Sequence, residues 1–154
     1  MFSKAKEHLE KYGMGNLVAE FEVSSATVGE AAIAVGVTEG EIAKTLSFIV
    51  EEKPILIVIA GDVKIDNAKY KAEFHAKAKM IQFESVEELI GHAVGGVCPF
   101  GINEGVTVYL DESLKRFDVV YPACGSSNSA VKLTVEQLET ASEFTKWVDV
   151  CKSI

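Results

Sequence analysis

The segment Gly95-Gly96-Val97-Cys98-Pro99-Phe100-Gly101 places three glycines and a proline within seven residues. Glycine admits backbone paths closed to other residues and proline fixes one, so such a loop can turn tightly with its amides facing a ligand. Amides held rigid in this way stabilise the oxyanion of an ester under attack, and losing one such donor costs about 3–4 kcal/mol in the transition state. The same residues also suit an ordinary connection between a helix and a strand. The loop matches neither GxxxxGK[ST] nor GxGxxG, which sets aside those two types of phosphate cradle. A second candidate is Lys44, inside Ala43-Lys44-Thr45-Leu46-Ser47-Phe48. A lysine in a strand pattern with apolar neighbours either reaches out from an edge or serves a cleft. In a cleft its ammonium would hold a phosphate or a carbonyl oxygen as a point charge.

Three further groups carry weaker chemistry. Lys64, Lys69, Lys71, Lys77 and Lys79 stand against only Asp66 and Glu73, a local excess of three positive charges in a chain of net charge -8. That asymmetry suits an RNA backbone, and it equally suits a solvated helix face. Ala123-Cys124-Gly125-Ser126-Ser127-Asn128 is a turn whose hydroxyls and amides could meet a ligand. Cys98 is a conceivable nucleophile with His92 as its base, although nothing in the spacing puts a base beside the thiol. The bland alternatives are a packing cysteine and a histidine cation favoured by a helix C-terminus.

Composition narrows the field. With 154 residues, 48% hydrophobic and 25% charged, the chain fits one domain, residues 1–154, with a single core. Cys98, Cys124 and Cys151 are too few for a disulfide framework, and there is no CxxC or HExxH, so neither a metal nor another cofactor is expected. The longest apolar run, Ile55 to Ala60, is about a third of what a bilayer crossing needs, so no membrane partner is expected. The opening MFSKAKEHLEKYG is charged and helical in pattern, unlike a secretory leader, and a cytoplasmic location follows as the expectation. The acidic balance argues against a general nucleic-acid coater.

Positioning these residues requires several elements. Phe2 to Tyr12 reads as a helix closed by Gly13, and Leu17 to Phe21 as a short strand. Thr27-x-x-Glu30, Ser85-x-x-Glu88 and Thr134-x-x-Gln137 read as capping boxes opening three helices. Ala43–Glu51 and Ile55–Ala60 read as a central hairpin separated by Lys53-Pro54, with the second strand buried on both faces. Lys64 to Met80 reads as helical for most of its length, starting near Asp66. Strands follow near Val106–Leu110, Phe117–Pro122 and Ala130–Leu133, with a last one at Trp147–Cys151. Without strict βαβ alternation, the expected class is a mixed α/β (α+β) fold, a curved mixed sheet with helices outside.

Lys44, the GGxxPxG loop and the Gly-Ser turn occur in an order that resembles the YbaK and prolyl-tRNA synthetase editing-domain family of aminoacyl-tRNA deacylases. The resemblance runs from about Phe2 to about Lys152 and is carried by EGEIAKTLSF (Glu39–Phe48), VGGVCPFG (Val94–Gly101) and ACGSSNSAVKLTVEQL (Ala123–Leu138). It implies a barrel-like sheet and an active cleft between the lysine strand and the two loops. Lys44 would be the central polar group, with Gly95, Gly96 and Gly101 catalytic beside it. Thr45, Val97, Cys98, Pro99, Phe100, Gly125 and Ser126 would contact the substrate, and the lysines from Lys64 to Lys79 the tRNA. The implied reaction removes a small amino acid such as alanine or cysteine from the 3′ end of a mischarged tRNA, most readily that for proline. It uses no metal and no acyl-enzyme, alone or docked on a prolyl-tRNA synthetase. The rival expectation is a tRNA- or synthetase-binding module of this fold without catalysis. Oligomeric state is not legible.

Overall fold

The computed structural model describes residues 1–154. Five helices, α1 (Phe2–Glu10), α2 (Val28–Val35), α3 (Asn67–Phe74), α4 (Phe83–Ile90) and α5 (Val135–Ser142), accompany ten strands. The strands are β1 (Val18–Glu20), β2 (Ile42–Val50), β3 (Lys53–Ala60), β4 (Val63–Ile65), β5 (Thr107–Asp111), β6 (Val119–Pro122), β7 (Ser129–Val131), β8 (Leu133–Thr134), β9 (Lys146–Val148) and β10 (Cys151–Ser153). Six of them form one mixed sheet in the order β8-β6-β2-β3-β5-β9, curled into a half-barrel. Two antiparallel ribbons, β1 with β7 and β4 with β10, extend it. The mixed, curved architecture expected from the sequence is the one observed.

The β2–β3 hairpin is its centre, paired without a break from Ala43↔Ala60 to Val50↔Lys53. β3 is antiparallel to β2 and parallel to β5, and every residue from Ile55 to Ala60 is buried, as the unbroken apolar run requires. The turn is not at Lys53-Pro54 but at Glu51-Glu52, both left-handed with φ of 51° and 65°. Two residues with positive φ match the twist of the flanking strands, so the chain accepts strain there to keep register. Pro54 sits within β3, ahead of Ile55 where pairing with β5 begins, so its missing N–H interrupts no ladder on that side.

Capping chemistry fixes several boundaries. Thr27 with Glu30 and Thr134 with Gln137 form reciprocal capping boxes at α2 and α5. The third expected box does not form. α4 begins at Phe83, two residues before Ser85, and Gln82 caps it without a side-chain bond. The stripe Val86–Ile90 must face the core, and the extra turn places Ser85 inside the helix rather than at its end. The helix expected from Lys64 to Met80 is also shorter. Asp66 caps α3 by accepting from the amides of Ala68 and Lys69, and His75, left-handed at φ 58°, ends it. Ala76 to Ile81 then runs extended beside β2, with Ile49 N donating to Lys79 O and Ile81 N to Ser47 O. The expected last strand is two, β9 and β10, in different sheets. Leu9 of α1, Tyr70 of α3, Ile90 of α4 and Leu138 of α5 meet β3 in one core cluster of 30 buried residues.

Candidate active site

The site arises from incomplete strand pairing. One edge of β2 is filled by β3, but the other meets β6 only at Ile42 and Ala43 and the extended segment only near Ser47 to Ile49. Between those contacts, Lys44 to Leu46 have no strand neighbour on that side. A cavity of about 370 Å³ opens there, within the roughly 300–1,000 Å³ of small-molecule sites. Its walls come from β2, α2, α4, the loop at Val94 to Val97 and the segment from Tyr121 to Ala130. Successive strand residues point to opposite faces, so Lys44 and Thr45 both border the cavity only because it opens at a strand edge.

Lys44 is half-buried, and its Nζ makes no hydrogen bond or ion pair with any residue. Burial draws its pKa below the ordinary lysine value, while Cys151, Asp62 and Glu39 oppose that shift. Asp62 is engaged elsewhere, in a two-pronged bond with Arg116 at 3.1 and 2.5 Å that holds its carboxyl below the usual range. Next to Lys44, the hydroxyl of Thr45 is buried and has no partner. Buried hydroxyls nearly always find one. Tyr70 Oη and His92 Nδ1 share this state in the core, and it is the place of Thr45 in the cavity wall that makes its hydroxyl a candidate ligand contact. Apart from the Tyr121 phenol, Lys44 is the only ionisable side chain in the cavity wall.

The glycine loop divides by role. Gly95 and Val97 line the cavity, and neither amide finds an acceptor within the chain. Gly96 does not line it. Its N–H donates to Ala93 O at 3.0 Å, and its carbonyl accepts from Gly125 N at 3.0 Å. A Cβ on Gly96 would lie 2.5 Å from Ser126 N, so glycine there lets the two expected loops lock back to back. Ser126 Oγ bonds inward to Asn128 at 3.0 Å and Ser129 at 2.7 Å. Gly96, Gly125 and Ser126 thus stand behind the wall. Gly101 approaches α1, where a Cβ would meet Lys4 O at 2.5 Å. With Pro99 it borders a second, polar hollow over α1.

Cys98 and Phe100 were expected at the substrate, but both side chains are fully buried in the core. Nothing in the spacing put a base beside Cys98, but the fold brings His92 Nε2 to 3.5 Å from its sulfur. That nitrogen donates its proton to Phe100 O at 2.6 Å, leaving no lone pair for the thiol. Burial also pushes the Cys98 pKa up, so the thiol is hidden and protonated. His92 is not a surface cation at a helix end. It is fully buried, and burial lowers its pKa, which keeps the imidazole neutral.

The expected RNA-binding lysines do not share one helix face. Lys64 lies in β4, Lys69 and Lys71 in α3, and Lys77 and Lys79 in the extended segment. Lys69 is tied to Asp149 at 3.1 Å and to Cys151 O at 2.9 Å, whereas the other four form no ion pair. Lys79 directly precedes Met80, which is part of the cavity mouth. Sequence reasoning missed that mouth, made by Met80, Phe83 and α2, because no local pattern brings the three together.

Comparison with known proteins adds independent findings. Residues 22–141 match the family described as the aminoacyl-tRNA editing domain. Uncharacterized protein YwhH of Bacillus subtilis is 51% identical over 148 residues, covering 96% of this chain and 94% of that one. The proline–tRNA ligase of Geobacillus sp. (strain WCH70) is 27% identical over 122 residues, 77% of this chain, which spans only 21% of the ligase. A crystal structure described as a candidate trans-editing enzyme for prolyl-tRNA synthetase superposes with a TM-score of 0.88 at 31% identity, covering 99% of this chain and 97% of that one. A hypothetical protein of known structure gives 0.85 at 26% identity, covering 97% of this chain and 99% of that one.

Proposed function

The chain belongs to the aminoacyl-tRNA editing-domain family, and from that premise we propose that it is a deacylase acting in trans on mischarged tRNA. The substrate is a small amino acid such as alanine or cysteine esterified to the terminal adenosine, most readily on the tRNA for proline. The carrying observation is one cavity lined by Lys44, whose ammonium is unpaired, by Thr45, whose buried hydroxyl is unpaired, and by Gly95 and Val97, whose amides find no acceptor in the chain. Each of these groups lacks a partner in the protein and suits an oxygen of the substrate.

In this reading Lys44 anchors a phosphate or ribose oxygen of the terminal nucleotide, and its charge fixes the ester beside the loop. The amides of Gly95 and Val97 receive the oxyanion that forms when water adds to the ester carbonyl. Collapse of that intermediate breaks the carbon–oxygen bond to the ribose and releases the free amino acid. Thr45 Oγ1 takes a hydrogen bond to the aminoacyl group, and the apolar walls admit an uncharged side chain. With no carboxylate or imidazole in the wall, the proton leaves through water or the substrate's own ribose hydroxyl. No three His, Cys, Asp or Glu side chains are grouped to hold a metal.

Purified protein is expected to release alanine or cysteine from the tRNA for proline well above the rate in buffer, and to spare prolyl-tRNA. Absence of release from every mischarged tRNA tried overturns the proposal. The missing general base favours one second reading, a tRNA-binding module without turnover, for which tight tRNA binding with no release is the distinguishing result.

A further inference from the structure

Three large apolar side chains remain exposed around the mouth of the cavity, Met80 at 56%, Phe83 at 73% and Val94 at 49%. Phe83 is the most exposed of them. By helical spacing it continues the stripe of Val86 and Ile90, which are buried. It lies one turn further toward the N-terminus, where the core has ended and the cavity begins. The ring is therefore held at the rim with an open face, on a helix whose other end is fixed in the core.

The charges around it are uneven. Near the cavity are the unpaired ammoniums of Lys44 in the wall and of Lys77 and Lys79 in the segment leading to Met80. α4 itself exposes Glu84, Glu87 and Glu88. An exposed aromatic ring at the cavity rim, with unpaired lysines in the wall and in the segment leading to that rim, fits a nucleotide, with its base on the ring and its phosphates toward the lysines. A second copy of this chain, also at net charge -8, meets repulsion instead.

We propose that Phe83 is the stacking platform for an unpaired nucleobase at the single-stranded 3′ end of the RNA substrate. This deepens the deacylase reading and rests on it for the identity of the RNA. Stacking on an aromatic face tolerates any base, so Phe83 contributes grip and orientation rather than sequence choice.

The test uses the full chain and tRNA whose terminal adenine is replaced by 2-aminopurine, a base whose fluorescence is quenched by stacking. Wild-type protein quenches the probe, Phe83→Trp preserves the quench, and Phe83→Ala and Phe83→Leu abolish it. In deacylation, Phe83→Ala raises KM about 5- to 150-fold with kcat held, the factor that about 1–3 kcal/mol of stacking represents. Because the ring is exposed, all variants should keep the wild-type melting temperature. Wild-type quenching in Phe83→Ala, or a Leu variant indistinguishable from wild type, overturns the proposal. So does self-association that vanishes with the ring, which would assign it to an interface between copies. Ring-dependent quenching without deacylation sinks the enzymatic reading and leaves this one standing. Deacylation indifferent to the ring does the reverse.

Discussion

A half-buried ammonium with no ion pair or hydrogen bond gives up hydration and recovers only part of it from more distant charges. Lys44 occupies that position, and its value must therefore lie in what binds beside it. Lys44→Met keeps most of the stem and removes the charge. It is expected to lower kcat/KM by about 10²–10³, the effect of deleting one preorganised electrostatic contact, while the melting temperature holds or rises. A variant that loses stability together with activity would make the lysine structural. Thr45→Val conserves shape and removes the orphan hydroxyl, so activity should fall by about 2- to 12-fold, the worth of one neutral hydrogen bond, with no loss of stability. His92 supplies a pH prediction. Its folded pKa is depressed, so the unfolded chain takes up the proton first. The associated stability is complete above the ordinary value of 6.5 and is lost as pH falls from there toward the folded pKa. Melting curves from about pH 7.5 to about pH 5 should show this slope in wild type and a shallower one in His92→Gln. Lys44 and Gly95 were legible because their types are unusual for their local patterns. The burial of Cys98 and His92 was not, since it depends on α1 and the second loop closing over them from far along the chain.

At the scale of elements, legibility followed the range of the forces. The boxes at Thr27 and Thr134 and the apolar run at Ile55–Ala60 are local facts, and they appeared where expected. Thr38-x-x-Glu41 was equally visible in the sequence and went unread. The Glu41 carboxylate accepts from the Thr38 amide at 3.1 Å and its hydroxyl at 2.8 Å, which shapes the turn feeding β2 and so aims Lys44. The end of α3 failed for the opposite reason. Nothing in Phe74-His75-Ala76 stops a helix, but the open edge of β2 needs partners, and pairing with Lys79 and Ile81 draws the chain out of helical form. The hairpin turn shows the same priority of register over local preference, and it can be tested. Glu51 and Glu52 both hold a left-handed backbone that costs non-glycine residues about 1–2 kcal/mol each, and their like charges adjoin. Replacing the pair with Asn-Gly should raise the urea midpoint by an amount worth about 1 kcal/mol or more. Activity should not change, because the turn lies at the far end of β2 from the cavity. A lower midpoint would mean that the glutamates make contacts outweighing the strain.

For the molecule as a whole, net charge -8 sets a background that repels RNA, against which a local run of cations is a means of orientation. Lys64, Lys71, Lys77 and Lys79 stand free of ion pairs, whereas Lys69, Lys115, Arg116 and Lys146 are neutralised by Asp149, Glu112, Asp62 and Glu73. Lys4, Lys6, Lys11, Lys53, Lys132 and Lys152 are also free of ion pairs, but the stretch from Lys64 to Lys79 is the one that runs up to the cavity mouth, where the 3′ end of a tRNA would enter. Attraction of this kind releases counterions, and log affinity falls with log salt by about 0.7–0.9 per phosphate contact. Binding of uncharged tRNA measured from about 50 to about 200 mM salt should show a slope set by these few lysines. In Lys77→Gln/Lys79→Gln the slope should become shallower by about 1.4–1.8 if each lysine meets one phosphate. Changing Lys115 and Lys146, which are already paired and lie outside that stretch, should leave the slope unaltered. Equal effects from both pairs would mean that RNA senses only the total charge, and the lysine-lined approach to the cavity would have no part in bringing the ester to Lys44.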